Sequence, residues 1–483
     1  MEPSLLWYDF ETYGTGISTA RPVQVGFLRT NLDLEPIDDG FRYYCRPAGD
    51  FLPSPLSTAI HGITPQEAVR EGEIEAEFAA MVFEDMAEPG SCCVGYNSEK
   101  FDSKLARFLF WRNYLPPYQV EHESGNSKWD LRTVVLAAFA LRPDGIKWPR
   151  NPDGAFSLRL EDLARENGLD HGLAHDALSD VEASLALARL VRSAQPQLYD
   201  YAFNLRTTAA SEDFVQANMG GMVAHVSPFY GYDRRSLAPV LFVARSRHAE
   251  QKREVFGIDL GRDVEVLFRS TADELRSQFY AKSEDLEGTA GRPPLVRLRT
   301  NECPFVAPIK TVHADAASRA GMDMDLCAAR AERLRAFTEL PELLREVFGP
   351  TEHGALDVDE ALYGSFVPRK DEARMYEVRN ADPDELSNFR GRFADPRLNE
   401  MLLRYRGRNY PEALDPRETA AWRTHCRERL LSETQGGTSR YQAFQAELAE
   451  SRTLYAGDAG RLANLDDVEA YGESLIASLG GAL

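Results

Sequence analysis

Two carboxylates stand one residue apart near the start of the chain, at the end of an apolar run. The run LLWYDF is typical of a buried strand, and the motif YDFET places Asp9 and Glu11 at its end. Residues i and i+2 of a strand point to the same face, so the two carboxylates are expected side by side, where they repel each other. A solvent-facing acid and a turn cap would explain the pair without catalysis, whereas a bound cation would explain it with catalysis.

Two further acids occupy predicted helix starts. The stretch VGYNSEKFD leads from an apolar strand through a polar turn to Asp102 at a helix N-terminus, where the helix dipole favours an anion. The stretch HDALSD holds His175 on a loop, Asp176 as the predicted N-cap, and Asp180 in or just past the first turn of the next helix. Capping alone would account for Asp102 as well as a catalytic role does.

These acids together predict a divalent-metal centre. Ligands of α/β folds gather at strand ends. Hard cations relieve clustered carboxylates, and the lack of cysteine and additional histidine in the cluster favours Mg²⁺ or Mn²⁺ over zinc. Two such ions can stabilise both oxygens of a phosphodiester displacement, while a histidine that titrates near neutrality deprotonates the attacking water. We therefore expect two metal ions to neutralise the Asp9/Glu11 pair.

The elements that must position these residues follow from the periodicity of the chain. Residues 1–200 alternate apolar runs with helical patterns, which is typical of an α/β domain. The predicted strands are 5–10, 23–29 and 92–96, and the predicted helices are 103–113, 131–140, 160–167 and 177–192. A small barrel-like β domain is predicted from the segments 222–226, 240–244, 254–259, 264–268 and 295–299. Residues 323–348 and 355–483 are predicted to be helical.

Composition limits the class of protein. A chain of 483 residues predicts two or three domains, and no apolar run approaches the ~20 residues that span a membrane. No secretory signal opens the chain, so a cytoplasmic location and six reduced, packed cysteines are expected. The net charge of −21 argues against broad polyanion binding, unless basic residues line one groove.

The order of the motifs YDFET, IHGIT, GYNSEKFD and HDALSD resembles the DEDDh family of 3′→5′ exonucleases, which have a ribonuclease-H-like fold. The stretches WDLRTVVLAAFALRPDGIKWP, LRLEDLARENGL, AHVSPFYG and LLRYRGRNYPEAL are similar to its bacterial exodeoxyribonuclease I branch. The resemblance implies that Asp9, Glu11 and Asp180 hold one ion. It further implies that Asp9 bridges to a second ion, that Asp102 holds this ion through water, and that His175 is the general base.

The resemblance also implies an α/β architecture in three parts. These are an exonuclease domain at 1–200, an SH3-like β-barrel domain at 201–350 and a helical domain at 355–483. The last part would complete a clamp around single-stranded DNA. The implied activity is processive, Mg²⁺-dependent digestion of single-stranded DNA to 5′-mononucleotides in DNA repair and recombination, by a monomer.

Substrate contacts are predicted around the metal centre. Glu11 and Tyr13 are expected to receive the 3′-terminal nucleotide, Tyr13 by stacking on the base; an ordinary strand-to-loop turn is the alternative. Arg159 is expected to hold a phosphate, and an ion pair with Glu161 or Asp162 is the alternative.

Other basic residues leave two interpretations open. The stretch RYRGRNY at 404–410 would line a DNA groove or form a helix C-terminus before a glycine cap. The arginines Arg292, Arg297 and Arg299 would line the same channel or lie on a solvated strand face. Arg142 and Tyr201 match positions that the resemblance associates with the acidic C-terminal tail of single-strand DNA-binding protein.

Two alternative functions remain at this point. A 3′→5′ exoribonuclease would carry the same motifs, because discrimination of the sugar depends on contacts near the 2′ position. A catalytically silent nucleic-acid or protein-binding module would be expected to lose one or more of the acids, and all of them are present.

Overall fold

The computed structural model describes residues 2–169, 176–248, 253–282, 284–286, 291–350, 356–434 and 436–480. Contacts between residues divide the chain into two compact units. Unit 1 comprises Met1–Ser127, His171–Glu182 and Gly354–Leu483. Unit 2 comprises Lys128–Asp170 and Ala183–His353.

Ten strands are found among the described residues. They are β1 (Ser4–Thr12), β2 (Pro22–Thr30), β3 (Phe41–Tyr44), β4 (Ser91–Gly95), β5 (Ser127–Asp130), β6 (Met222–Val226), β7 (Leu237–Arg245), β8 (Glu254–Asp259), β9 (Leu295–Arg299) and β10 (Phe305–Pro308).

The α-helices of the first 350 residues include those predicted at 103–113, 131–140, 160–167 and 177–192 and others that were not predicted. They are α1 (Pro55–His61), α2 (Pro65–Glu71), α3 (Glu75–Ala87), α4 (Asp102–Arg112), α5 (Leu131–Leu141), α6 (Leu160–Asn167), α7 (Ala177–Ala194), α8 (Pro196–Leu205), α9 (Thr208–Ala217), α10 (Ala272–Tyr280), α11 (Ala314–Arg319), α12 (Met324–Arg335) and α13 (Leu340–Val347). The C-terminal part is helical, as predicted, and contains α14 (Arg369–Arg379), α15 (Pro396–Asn409), α16 (Pro416–Leu431), α17 (Arg440–Leu454) and α18 (Ala459–Ser478).

The sheet of unit 1 has the strand order β3-β2-β1-β4. Strand β1 pairs antiparallel with β2 and parallel with β4. Its apolar run is buried on both faces, as expected for a strand at the centre of a sheet. The predicted strands 5–10, 23–29 and 92–96 are therefore confirmed as β1, β2 and β4. The apolar side chains of α3 and α4 pack with those of β1 and β2 in one core.

The C-terminal helices of unit 1 share a second core with α4. The buried Trp111 donates a hydrogen bond from Nε1 to the carbonyl of Val358 at 2.8 Å, and the Tyr114 hydroxyl donates to the carbonyl of Leu398 at 2.6 Å. Around them pack apolar residues of α14 and α15, including Met375 and Met401. The C-terminal helices are thus packed against the helix that begins at Asp102.

Unit 2 contains an antiparallel sheet with the order β10-β6-β7-β8-β9. The predicted strand at 264–268 is wrong, because this segment forms a 3₁₀ helix, Glu265–Phe268. Its buried side chains, Val264 and Leu267, are three residues apart, which suits a 3₁₀ turn rather than a strand. The predicted helix at 323–348 is divided into α12 and α13.

All six cysteines lie in the described residues, are buried and form no disulfide with one another, which confirms their predicted state. Among the described residues, no helix has the length and apolar content needed to cross a membrane.

Candidate metal centre

Three carboxylates converge at the end of β1. Asp9 and Glu11 extend from β1, and Asp180 extends from the first turn of α7. One oxygen of each carboxylate lies within 4.8 Å of the corresponding oxygens of the other two, and all three residues are half-buried. The structure therefore brings together three of the residues that the sequence singled out, with the oxygen ligands that hard divalent cations prefer.

The electrostatics of this cluster disfavour three bare negative charges. Burial, followed by the charges of Asp102, Glu11 and Asp180, raises the pKa of Asp9 well above its usual range. Burial together with the charges of Asp180 and Asp102 raises the pKa of Glu11 to about 8. Repulsion of this kind is relieved by protons or by a cation. The cluster consequently has both the ligand atoms and the electrostatic need for a divalent ion.

Asp102 lies at the first position of α4, at the helix N-terminus predicted from the sequence, and is 7% exposed. It is outside the group of three mutually close carboxylates, yet its charge is the largest contribution, after burial, to the raised pKa of Asp9. This placement is compatible with an acid that acts on a second ion through water. Beside it, the Tyr8 hydroxyl lies 3.0 Å from Ser103 Oγ and ties β1 to the start of α4.

The first turn of α7 is held by the predicted Asp176 cap and by two contacts that the sequence did not predict. Asp176 caps the helix as predicted, since its Oδ2 accepts hydrogen bonds from Ser179 N at 3.2 Å and from Ser179 Oγ at 3.1 Å. Its other oxygen pairs with Arg42 Nη1 at 3.1 Å. In addition, the Ala177 N–H donates to Gln24 Oε1 at 3.0 Å. Gln24 and Arg42 were missed because strand pairing, rather than any local motif, brings them to this helix.

His175, the predicted general base, lies outside the described residues. Its sequence neighbour Asp176 is the first described residue after residues 170–175. The role of His175 therefore stays a prediction.

The structure gives Tyr13 a packing role instead of the predicted stacking role. The side chain is 1% exposed, and its ring lies 5.6 Å from that of His61, centroid to centroid. The Tyr13 N–H donates to the carbonyl of Arg21 at 2.9 Å and closes the loop after β1. A ring this deeply buried does not present a face to a nucleobase.

Arg159 forms an ion pair with Glu161, the alternative that the sequence had left open, and its side chain is 69% exposed. Exposed pairs of this kind contribute little to stability and break readily.

Arg142 and Tyr201 both contact residues 306–311, at the end of β10 and just after it. The Tyr201 hydroxyl donates to the carbonyl of Val306 at 2.8 Å, and Arg142 Nη1 donates to that of Thr311 at 3.3 Å.

Of the two interpretations of the stretch 404–410, the helix C-terminus is confirmed and the DNA groove is not. It forms the end of α15, where the side chains of Arg404, Arg406 and Arg408 are at most 7% exposed and are paired with acids. The helix ends at Tyr410 rather than at a glycine. Arg408 Nη2 lies 2.7 Å from Asp50, so this positive charge stabilises the interior of unit 1 and is not available to a DNA backbone.

The three arginines of unit 2 are likewise partnered. Arg297 and Arg299 pair with Glu254, and Arg292 donates hydrogen bonds to the carbonyls of Phe279 and Ala281. Arg297 and Arg299 are partly exposed at alternate positions of β9, which fits the strand-face alternative, whereas the channel lining stays a prediction.

Comparison with known proteins identifies the family of the chain. Residues 6–188 match the Exonuclease family model, residues 206–350 match the Exonuclease I SH3-like domain, and residues 356–475 match the Exonuclease I C-terminal domain. The chain is 35% identical over 477 residues to exodeoxyribonuclease I of Escherichia coli K12, an alignment that covers 98% of each chain.

Solved structures give the same result. An exonuclease I from Methylocaldum szegediense superposes with a TM-score of 0.91 at 37% identity, over 98% of this chain and all of the other. A zinc-bound complex of E. coli exonuclease I with single-stranded DNA superposes with a TM-score of 0.91 at 33% identity, over 99% of this chain and all of the other.

The fold and the acidic site define a nuclease with a divalent-metal centre in a ribonuclease-H-like domain. The predicted succession of an exonuclease domain, an SH3-like domain and a C-terminal helical domain is confirmed. More narrowly, the chain belongs to the exonuclease I family. The boundaries 1–200, 201–350 and 355–483 stay predictions.

Proposed function

We propose that this protein is a 3′→5′ exonuclease that hydrolyses single-stranded DNA to 5′-mononucleotides. The observation that carries the proposal is the convergence of Asp9, Glu11 and Asp180 in a chain that belongs to the exonuclease I family. A relative of the same length and fold has been seen in complex with single-stranded DNA. A cytoplasmic location and a role in DNA repair and recombination are part of the proposal.

The acidic cluster fits two divalent ions, Mg²⁺ in the cell with Mn²⁺ as a substitute. All three close donors are carboxylate oxygens, which suit hard cations. Burial and the charges of Asp180 and Asp102 raise the pKa of Glu11, and a bound cation would relieve this repulsion. Asp9, Glu11 and Asp180 would hold one ion, Asp9 would bridge to the second, and Asp102 would hold the second through water. Such ions, when bound, stabilise negative charge on the attacking and leaving oxygens of a phosphodiester.

The protein's own side chains supply the remaining chemistry. His175 would take a proton from the attacking water, because imidazole is the side chain whose ordinary pKa lies nearest neutral pH and His175 directly precedes Asp176 in the sequence. Glu11 contacts the terminal nucleotide. The exposed Arg159 guanidinium breaks its ion pair with Glu161 and binds a phosphate instead. Tyr13 supports the loop after β1 from the interior.

Contacts to the DNA strand are assigned to an exposed stretch of unit 1 that we call the aromatic-basic segment, residues 363–376. Phe366 is 87% exposed, Tyr376 62% and Tyr363 54%, and the neighbouring Arg369 and Lys370 are exposed as well. Nucleobases stack on aromatic rings, while basic side chains follow the backbone. The aromatic-basic segment offers exposed aromatic and basic side chains to the DNA strand, whereas the arginines of α15 are buried. The clamp and processive digestion follow from the family resemblance, and together with a monomeric state they are part of the proposal.

A protein partner is also proposed. Arg142, which contacts Thr311 just after β10, and Tyr201, which contacts Val306 in β10, would bind the acidic C-terminal tail of single-strand DNA-binding protein. The Arg142 guanidinium supplies positive charge for a carboxylate. Loss of tail binding in Arg142→Ala, measured with a labelled tail peptide, tests this assignment independently of nuclease activity.

The proposal is tested with 5′-labelled single-stranded DNA, duplex DNA and single-stranded RNA of one sequence. With Mg²⁺, the wild type should shorten single-stranded DNA from its 3′ end, and both Asp180→Ala and a chelator should abolish shortening. Digestion of RNA in preference to DNA would assign the chain to the alternative exoribonuclease function. Full activity of Asp180→Ala would overturn the metal-site assignment, and absence of any cleavage by the wild type would favour a silent binding module.

A further inference from the structure

The start of α7 is fixed against strand β2 at two neighbouring positions. The Ala177 N–H, one of the donors that a helix start leaves without a partner inside the helix, donates to Gln24 Oε1 at 3.0 Å. Two residues along β2, a Cβ on Gly26 would lie 2.6 Å from the carbonyl carbon of Ala177 and the nitrogen of Leu178. The backbone of α7 therefore lies directly on β2. The distance between them is set by the Ala177–Gln24 hydrogen bond and by the lack of a side chain on Gly26.

The strand register places both contacts opposite metal ligands. Gln24 is the cross-strand partner of Glu11, and Gly26 is the cross-strand partner of Asp9. Cross-strand partners extend to the same face of a sheet, so Gln24 and Gly26 lie on the face that carries the two acids. The residue that α7 adds to this face is Asp180, three positions after Ala177. The two halves of the metal centre are thus joined through β2.

The chemical type of Gln24 suits this task. The carboxylate oxygens of Asp9, Glu11 and Asp180 lie within 4.8 Å of one another, so a further negative charge beside them would add repulsion. An amide oxygen accepts the Ala177 hydrogen bond without adding a negative charge, whereas a carboxylate at the same place would add one. Gln24 is 1% exposed, so water does not replace its hydrogen bond.

We propose that Gln24 is a positioning residue of the metal centre, which holds the first turn of α7 so that the Asp180 carboxylate stays within ligand distance of Asp9 and Glu11. The inference rests on the proposed function, in which these three acids bind divalent ions. Mutation of a residue that orients a metal ligand typically lowers metal affinity or activity by about 10–100-fold. Arg42, whose ion pair with Asp176 is 40% and 24% exposed, is a weaker second anchor.

The test uses the full-length protein and the substitution Gln24→Met, which keeps the length of the side chain and removes the acceptor. Mn²⁺ binding is measured by electron paramagnetic resonance without DNA, and nuclease activity is measured as a function of Mg²⁺ concentration. We expect the Mn²⁺ dissociation constant and the half-saturating Mg²⁺ concentration to rise about 10–100-fold. The KM for DNA should stay unchanged, and excess Mg²⁺ should restore most of kcat, which a general loss of folding would not allow.

Two further variants make the outcome decisive. Gln66→Met is the matched control, because Gln66 is exposed and hydrogen-bonds only to the carbonyl of Asp467 among the contacts described for it. Gln24→Asn keeps an amide on a shorter side chain and should show a smaller shift in the same direction; it replaces Gln24→Met if that variant fails to fold. Mn²⁺ binding at wild-type strength in the folded Gln24 variants would overturn the positioning role. Unchanged Mn²⁺ binding in Asp180→Asn would instead overturn the proposed metal site itself.

Discussion

Asp9 and Gly26 are cross-strand partners in the antiparallel pair of β1 and β2, so a ligand carboxylate lies opposite a residue without a side chain. The first turn of α7 occupies the space that a Cβ on Gly26 would fill. The glycine is thus the reason that a helix can approach the sheet closely enough to add Asp180 to the acids of β1.

Gly26→Val should therefore displace the start of α7 and lower nuclease activity at least about tenfold, with a loss of unfolding free energy of about 1–3 kcal/mol from overpacking. Valine favours strand conformation, so a loss of stability or activity would come from crowding of the α7 backbone and not from a weaker strand β2. Steady-state kinetics and denaturant unfolding check both numbers. Gly49→Val is the control, because a Cβ on Gly49 meets nothing within 4 Å. Equal effects of the two substitutions would contradict the packing argument.

Asp180→Asn should stabilise the metal-free protein while removing its activity. In the metal-free state, the Asp180 charge contributes to raising the pKa of both Asp9 and Glu11, and its removal relieves that repulsion. At a Mg²⁺ concentration of about 100 Kd, the wild type should gain about 2.7 kcal/mol of unfolding free energy, and the variant should gain little. Melting curves with and without Mg²⁺ measure both effects. A variant whose melting temperature rises with Mg²⁺ as much as that of the wild type would show that the ion binds elsewhere.

Glu75 should make the protein acid-sensitive. The buried carboxylate accepts a hydrogen bond from Asn113 at 3.1 Å and lies 3.6 Å from the Arg21 guanidinium. Burial alone would raise its pKa, but the charges of Arg112 and Arg21 lower the pKa of Glu75 from 4.5 to about 2. Because the folded-state pKa is depressed, the stabilisation is complete above about pH 4.5 and is lost as the pH falls toward 2, up to about 3 kcal/mol in total.

Denaturant unfolding from about pH 7 to about pH 3 tests this expectation. Glu75→Gln should be less stable at neutral pH and should lose this part of the pH dependence, since it removes the acid that pairs with the buried Arg112 and leaves Arg21 paired with Asp359. Glu84→Gln, a substitution on the exposed face of the same helix, should behave like the wild type. The same pH dependence in all three proteins would refute the assignment to Glu75.

Phe366→Ala should weaken DNA binding without affecting the fold. The loss of one base-stacking contact of about 1–3 kcal/mol predicts a rise of the KM for single-stranded DNA of about fivefold or more. The ring is 87% exposed, so the melting temperature should not change. Leu454→Ala, at a residue that is 67% exposed and outside the aromatic-basic segment, is the matched control. A KM at the wild-type value in Phe366→Ala would remove this segment from the DNA path.

Local patterns predicted the elements of the site well, because β1, β2 and β4 are buried apolar runs and α4 and α7 carry their acids at predicted helix starts. Contacts between residues far apart in the sequence could not be predicted from these local patterns. The basic and aromatic sequence at the end of α15 is typical of a nucleic-acid-binding groove, but Arg408 pairs with Asp50, 358 residues away. Gln24 gave no signal, since its role depends on the register of β1 and β2. A glycine inside the apolar pattern VQVGFLRT was the one local hint of a close backbone approach.

The central claim is tested most directly by anomalous diffraction from crystals soaked with Mn²⁺ and a 5′-mononucleotide. The account predicts two peaks about 3.5–4 Å apart, with the Asp9 carboxylate shared between them. Glu11 and Asp180 should be ligands of one ion at about 2.0–2.2 Å. Mn²⁺ bound elsewhere, with these three carboxylates empty in a protein that still digests single-stranded DNA, would contradict it.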